Sequence, residues 1–439
     1  MSDLRKSFLK SKLQHLPRSP PMPTTHPLSD LSAFDEEEEE GLELEYDEGT
    51  LPPPSPLLSD SSSASSASST GTIKPLFSRP AQPRKKPTFE PIPWQAHFSL
   101  SLHLTPPDSP ETSYHAYLTP PLPSGPLFVF HHGAGSSGLS SALLATSIRR
   151  LLPSAGILSP DCRGHGETHT PSDNDLSLPT LTSDLYSTIQ LTATQQNWPT
   201  LPPLVLIGHS LGGAVVVSLA ASRQLGDALL GYAVIDVVEG SAIDALTSMS
   251  TYLHSRPTSF SSLSHGIEWH TRSRTLRNPT SARISVPALL VPSPAPNPSS
   301  PTTPITTSYT WRTDLSSTQP FWQTWFTGLS SRFLTAPGGK LLLLAGTDRL
   351  DKELMIGQMQ GKYQLLVLPE VGHFVHEDAP ERVAAALVEF YKRNDRSVLV
   401  LPPKVGASGG GAGVGGAAGA GAGVQSPYLP AAGKHYTSI

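Results

Sequence analysis

The residues best able to do chemistry lie at Gly208-His209-Ser210-Leu211-Gly212, where a serine sits between glycines at G-x-S-x-G spacing. About 0.15 such matches arise by chance in a chain this long, so the setting has to decide. An apolar run at 201–207 precedes the match and a helix-like run at 214–222 follows it. That is the strand–turn–helix order which lifts a serine hydroxyl to the top of an α/β-hydrolase sheet. The turn is too tight for side chains on its flanks, hence the glycines, and the serine itself takes a strained backbone. A serine hydroxyl is a weak nucleophile until a base takes its proton, and in this fold an acid and then a histidine follow it along the chain. His373 comes after a late apolar run, with Gly372 allowing a tight turn just before it; His376 is the rival and lacks that glycine. The acid is either Asp236, at the end of an apolar run at 231–235, or Asp348, after another at 340–345. Spacing leaves both open. The acid's task is to hold the imidazole in one tautomer and stabilise its cation. The oxyanion that forms needs two backbone N–H groups: one is that of Leu211, and Ala134 in the early loop His132-Gly133-Ala134-Gly135 is the candidate for the other.

Rival chemistries have less behind them. Gly133 to Gly138 matches G-x-G-x-x-G after a strand, with Asp161 at about dinucleotide-fingerprint spacing, yet that reading explains neither the serine turn nor the late histidine loop. His165 and His169 have a ligand-like spacing, but Gly164 and Gly166 make the segment a loop in which the two rings need not share a face. No metal and no cofactor are expected. Cys162, the single cysteine, has no base beside it; it rules out an internal disulfide and suits a reducing compartment. A net charge of −5 argues against nucleic-acid binding. The basic N-terminus lacks an uninterrupted apolar core and a cleavage site, and no run of about 18 apolar residues occurs. The expected protein is soluble, monomeric and resident in the cytosol, the nucleus or both.

The elements that must position these residues follow from the apolar pattern. Runs at 126–131, 156–160, 201–207, 231–238, 340–345 and 363–369 read as strands, and 380–393 as an amphipathic closing helix. Near-continuous apolar strands alternating with helices imply a mostly parallel central sheet flanked by helices, with 94–104 and 113–118 as an antiparallel pair leading into it. Residues 240–335 interrupt the alternation with helix-like pieces at 242–253, 264–274 and 321–326, read as a helical cap insertion with a mobile loop near 287–307. The 46 prolines crowd into the first 125 residues and into that loop. Residues 1–88, with their acidic and Ser-rich tracts, read as a disordered Pro/Ser/acidic region, and 401–439 as a flexible Gly/Ala-rich tail; the hydrolase domain is then 89–400.

Within that domain the chain resembles the protein phosphatase methylesterases. The similarity runs from about Phe89 to Arg393 and includes Phe89-Glu90-Pro91-Ile92-Pro93-Trp94, Arg163-Gly164-His165-Gly166-Glu167-Thr168, Gly208 to Gly213, Ile235-Asp236-Val237-Val238-Glu239-Gly240, Tyr309-Thr310-Trp311-Arg312, Ile356-Gly357-Gln358-Met359-Gln360-Gly361 and Gly372 to Pro380. The nucleophile turn and the Arg-Gly-His-Gly segment occur widely in this fold; Ile-Asp-Val-Val-Glu-Gly and Ile-Gly-Gln-Met-Gln-Gly are far more particular. The resemblance implies removal of the methyl ester from the C-terminal leucine of the type 2A phosphatase catalytic subunit, by a triad of Ser210, Asp236 and His373 without a cofactor. It also implies that the insertion, around 243–249 and 309–325, forms the groove for the phosphatase tail. The early loop departs from the family's usual His-Gly-Gly-Gly by carrying Ala134. A broad small-ester carboxylesterase and a non-catalytic phosphatase-binding module are the alternatives.

Overall fold

The computed structural model describes residues 88–293, 308–346 and 350–395. All but the last residue of the 1–88 region, the Gly/Ala-rich tail, most of the Pro/Ser loop and Asp348 lie outside them. The elements below belong to the unit ending at Asn394; of the second, Asp395–Ile439, only Asp395 is described.

In chain order the elements are β1 (Leu100–Leu104), β2 (Tyr114–Thr119), β3 (Leu127–His131), α1 (Ala142–Leu151), β4 (Gly156–Pro160), α2 (Leu178–Gln195), β5 (Leu204–His209), α3 (Leu211–Ser222) and β6 (Leu229–Ile235). A long insertion follows, with α4 (Glu239–Ser255), β7 (Ser259–Phe260), α5 (Leu263–Arg272), α6 (Pro279–Ser285), β8 (Leu290–Pro292), β9 (Tyr309–Trp311), α7 (Trp322–Phe326) and α8 (Leu329–Thr335). The chain then returns through β10 (Gly339–Leu344), α9 (Lys352–Met359), β11 (Gln364–Val367), α10 (Val375–Asp378) and α11 (Pro380–Asn394). Eight strands form one sheet in the order β1-β2-β4-β3-β5-β6-β10-β11. β1 and β2 pair antiparallel, as β2 does with β4, and the other neighbours are parallel.

Every residue of β3 and β5 is buried, which is why their sequences are almost wholly apolar: a parallel strand covered on both faces has no side to give to water. Alternation along the strands still divides them. Val129, Leu206, Val234, Leu342 and Leu344 pack on one face with α2, α3 and the tryptophans of α7. Phe128, Phe130, Val205, Ile207, Ala233, Ile235, Leu341 and Leu343 pack on the other with α1 and α11. Register places His131 beside Gly208, His209 beside Ile235, and Ile235 beside Leu343, so the segments leaving β3, β5, β6 and β10 emerge together at one edge.

Residues 287–293, read from sequence as the start of a mobile loop, are instead structured: a 3₁₀ turn at Val286–Leu289 leads into β8, which pairs with β9 in a small antiparallel sheet ordered β7-β9-β8. Val286 and Leu290 are buried with Phe260, Ile267 and Ala282, while Pro287 sits early in its turn, where a missing N–H costs nothing. Strand ends moved by a few residues. β6 stops at Ile235 rather than 238, and β5 runs to His209 rather than 207, so the buried strand leads straight into the serine turn.

One buried contact ties the insertion to the sheet. The carbonyl of Phe333, near the end of α8, would ordinarily accept from the N–H four residues on, but that residue is Pro337. Tyr232 Oη of β6 donates to it instead, at 2.6 Å, with its ring fully buried. Tyr232→Phe removes that donor and leaves the carbonyl unpaired, so urea denaturation should record a loss of about 1–3 kcal/mol. An unchanged midpoint would mean that the carbonyl finds another donor.

Candidate active site

Ser210 joins β5 to α3 with φ 51° and ψ −121°, a backbone that β-carbon-bearing residues rarely take. A β-carbon on Gly208 would lie 2.1 Å from the carbonyl oxygen of Gly212, and one on Gly212 equally close to that of His131. The turn therefore closes only with glycine at both places. Ser210 N–H donates to Ile235 O (3.0 Å), and its carbonyl accepts from Gly213 N–H (2.8 Å). The serine is thus stapled both to the end of β6 and to the first turn of α3, whose N-terminal dipole favours negative charge beside it.

Asp236 is the residue after β6 and also has positive φ, 52°. Its N–H donates to Leu343 O (2.8 Å) and its Oδ1 accepts from Ala345 N–H (2.9 Å). Its Oδ2 lies 2.8 Å from His373 Nδ1, the carboxylate wholly buried and the imidazole about half exposed. A carboxylate can only accept, so Nδ1 carries the proton and Nε2 keeps a lone pair for proton abstraction. His209, between Gly208 and the serine, donates from Nε2 to the carbonyl of His373 (2.9 Å), with ring centroids 4.6 Å apart. Serine turn, acid and histidine loop are thus linked through adjacent residues. His376 does not take part: it is fully buried against Phe130 and His209, and burial, with His373 nearby, pushes its pKa down to about 3. Asp348 lies outside the described residues.

The early loop leans on the serine. A β-carbon on Gly133 would meet Ser210 Cβ at 3.2 Å, and one on Gly212, the second residue of α3, would meet the carbonyl of His132 at 2.7 Å. Among the described residues Ala134 is not one of those with positive φ, so alanine in place of glycine imposes no backbone strain there. Two histidines hold this loop. His132 Nε2 accepts from Cys162 N–H (2.9 Å) while its Nδ1 donates to Gly133 O (2.8 Å). His165 Nε2 accepts from Gly135 N–H (2.8 Å) while its Nδ1 donates to Arg163 O (2.8 Å). Both patterns require a neutral ring, and burial holds the pKa of each down. Sequence reading missed these supports, although His165 stood inside a motif it quoted. The same motif supplies Arg163, which clamps Asp184 through Nε and a terminal nitrogen, both at 2.8 Å, with Tyr114 Oη also donating to Asp184.

The remaining candidates take structural roles. Asp161 Oδ1 accepts from Gly138 N–H (2.7 Å) and Oδ2 from His115 Nδ1 (2.7 Å) and Glu167 N–H (3.0 Å), so it is committed inside the protein, which accounts for its fingerprint-like distance from the glycines. Cys162 is buried, and burial pushes its thiol well above its ordinary pKa, away from the reactive thiolate. Glu239 accepts from Gly328 and Ser330 N–H groups at the start of α8, the reason an acid follows the strand there. Beyond His373 the loop is fastened to the insertion: Glu377 Oε2 accepts from Ser281 (2.8 Å) and Ser285 (2.7 Å), and Asp378 accepts from the N–H groups of Gly372 (2.7 Å) and Arg277 (2.8 Å). Burial raises both acids, Glu377 to about 8.

The chain belongs to the alpha/beta hydrolase family, whose model matches residues 128–386. A solved E-2-(acetamidomethylene)succinate hydrolase shares the fold, with TM-score 0.52 and 18% identity over 67% of this chain and 99% of that one. Proteins named protein phosphatase methylesterase 1 are far nearer in sequence. That of Gibberella zeae is 59% identical over 77% of this chain and 84% of its own, and that of Neurospora crassa 52% over 92% and 98%. That of Schizosaccharomyces pombe is 47% identical over 66% and 81%. Within the hydrolases the chain is a member of the protein phosphatase methylesterase family. No helix among the described residues is long and apolar enough to cross a membrane.

The buried rings make the fold sensitive to acid. Burial lowers the pKa of His131 and His270 to about 4, that of His376 to about 3, and those of His132, His165 and His209 below the ordinary 6.5. Above pH 6.5 these rings are neutral whether the chain is folded or not. As pH falls through 6.5 the unfolded chain takes up protons that the folded one refuses, and each such proton removes about 1.4 kcal/mol of stability per pH unit. Glu377 opposes them, since it keeps its proton in the folded state from about pH 4.5 to 8, and Asp378, also raised, acts in the same sense, but these are two groups against six. Urea midpoints should therefore fall steeply from pH 7.5 to 5.5, and less steeply in His376→Gln. Midpoints flat across that range would show rings that titrate freely.

Proposed function

We propose that this chain removes the methyl ester from the C-terminal leucine of the type 2A phosphatase catalytic subunit, with Ser210 as nucleophile, His373 as general base and Asp236 as the acid that orients it. That it is a phosphatase methylesterase, a carboxylic ester hydrolase, follows from its family; which residues act and which ester is cleaved are the proposal. The observation that carries the assignment is the 2.8 Å bond from His373 Nδ1 to the buried carboxylate of Asp236, one residue beyond a strand that neighbours the serine's own.

His373 Nε2 takes the hydroxyl proton as Ser210 Oγ attacks the ester carbonyl. The oxyanion draws on the N–H groups of Leu211 and Ala134 and on the dipole of α3. Collapse expels methanol, which leaves with the proton from His373. Water, deprotonated by the same imidazole, then attacks the acyl-enzyme, and a free carboxylate departs. Asp236 keeps the imidazole in the productive tautomer and stabilises its cation in both halves. The phosphatase docks on the insertion. If docking supplies most of the binding energy, small esters are poor substrates.

Incubation with carboxymethylated phosphatase core enzyme, following loss of the methyl group, tests both parts. Ser210→Ala should be inactive and unlabelled by a fluorophosphonate that labels the natural protein. Asp236→Asn should lose on the order of 10⁴-fold in turnover, while Asp348→Asn keeps most of it. The reverse pattern for the two aspartates would transfer the acid to Asp348. Rapid hydrolysis of p-nitrophenyl acetate, with no preference for the methylated phosphatase, would overturn the substrate.

A further inference from the structure

Glu167 lies in the Arg163 to Thr168 motif but has no part in the proposed chemistry. Its neighbours come from the other edge of the same fold. His103 on β1 and His115 on β2 are direct cross-strand partners, with ring centroids 4.9 Å apart. The loop carrying Glu167 runs beside β2 and is held there: Ser113 and His169 form a β-bridge, and His115 N–H donates to Thr168 Oγ1 at 2.9 Å. Glu167 Oε2 consequently lies 3.7 Å from His103 Nε2 and 4.0 Å from His115 Nε2, and the three atoms fall within 4.8 Å of one another.

We propose that His103, His115 and Glu167 form a binding site for a late first-row divalent cation, with Zn²⁺ as the expected ion. Two imidazoles and a carboxylate are the donor set such ions prefer, and they leave a fourth position open to water or to Ser101. His115 marks the cluster as more than a surface ion pair. Its ring is 1% exposed, and its Nδ1 bonds to the buried carboxylate of Asp161, which fixes the proton on that nitrogen. Nε2 is left with its lone pair turned toward His103 and Glu167. A carboxylate behind an imidazole is the support that metal-ligating histidines generally have, because it orients the ring and raises its basicity. Ser101 Oγ occupies that lone pair at 2.8 Å, as a hydroxyl that can rotate away. A tetrahedral ion with bonds near 2.0–2.1 Å needs donor atoms about 3.3 Å apart. His103 and Glu167, 55% and 57% exposed, have the freedom to close that gap around the immobile His115. His103 also faces away from the core, since on β1 Leu102 and Leu104 are the buried positions, so packing does not demand an imidazole there.

The sequence pairing of His165 with His169 pointed elsewhere. His165 is occupied by the early loop, and Glu167, between them, is the ligand. An ion at this place would tie the β1–β2 hairpin to the loop whose His165 holds Gly135. The full-length chain, stripped with a chelator, is titrated with Co²⁺, read by its visible absorption, and with Zn²⁺, read by calorimetry. One saturable site per chain is expected, weakened about tenfold or more in His103→Ala and in Glu167→Gln. Both side chains are half exposed, so the variants should fold and hydrolyse ester as the natural protein does when metal-free. Absence of saturable binding, or variants that bind like the natural protein, would overturn the site.

Discussion

The bond between His373 and Asp236 joins residues 137 positions apart and puts a carboxylate entirely out of water. A buried charge is tolerated only where donors surround it. Around Asp236 the Ala345 N–H and the imidazole are among these donors, and both depend on the order of strands in the sheet. β6 must lie between β5 and β10, so that Ala345 comes from one side and the serine turn from the other. The positive φ of Asp236 turns the side chain back across the strand ends, and that local strain is held by the ladder on both sides. The insertion begins within three residues of this aspartate, where Glu239 is bonded to the start of α8, so the acid is braced from above as well as from below.

Much of this could be read from the residues. The central strands are apolar because both faces are covered, and that signal survives without any knowledge of neighbours. The serine turn was legible because steric exclusion at Gly208 and Gly212 admits so few residues. Helices α1 and α2 were harder. α2 is rich in threonine, which lowers helix propensity, yet Thr182, Thr188 and Thr192 bond back to carbonyls four residues earlier and are accommodated. The ordering of 287–293 was missed because proline content outweighed the two apolar residues that anchor the turn. Least legible were the side-chain pins, His132, His165 and His209. Nothing about a lone histidine says which carbonyl it will face; only the folded register of β3 and β5 and the Arg163 loop brings ring and partner together. Choosing Asp236 over Asp348 likewise rested on family resemblance, since both follow strands that reach the same edge.

The histidine cluster sets a requirement of its own. The rings of His132 and His165 hold the serine's surroundings only as neutral groups, one nitrogen donating and the other accepting, while His209 bonds through Nε2. Lysine or arginine could donate but not accept, and an amide would not fill the same flat, stacked space beside Phe374 and His376. At His132 and His165, imidazoles kept uncharged by burial supply rigid two-ended links in a confined volume.

Glu377 and Asp378 have a mechanical consequence. Through them the turn that carries the imidazole is riveted to Arg277, Ser281 and Ser285 of the insertion, while β11 anchors its other end. His373 thus rides on two foundations at once, sheet and insertion. A tilt of α6 would be passed to the imidazole through a few short side chains, Ser281, Ser285 and Glu377.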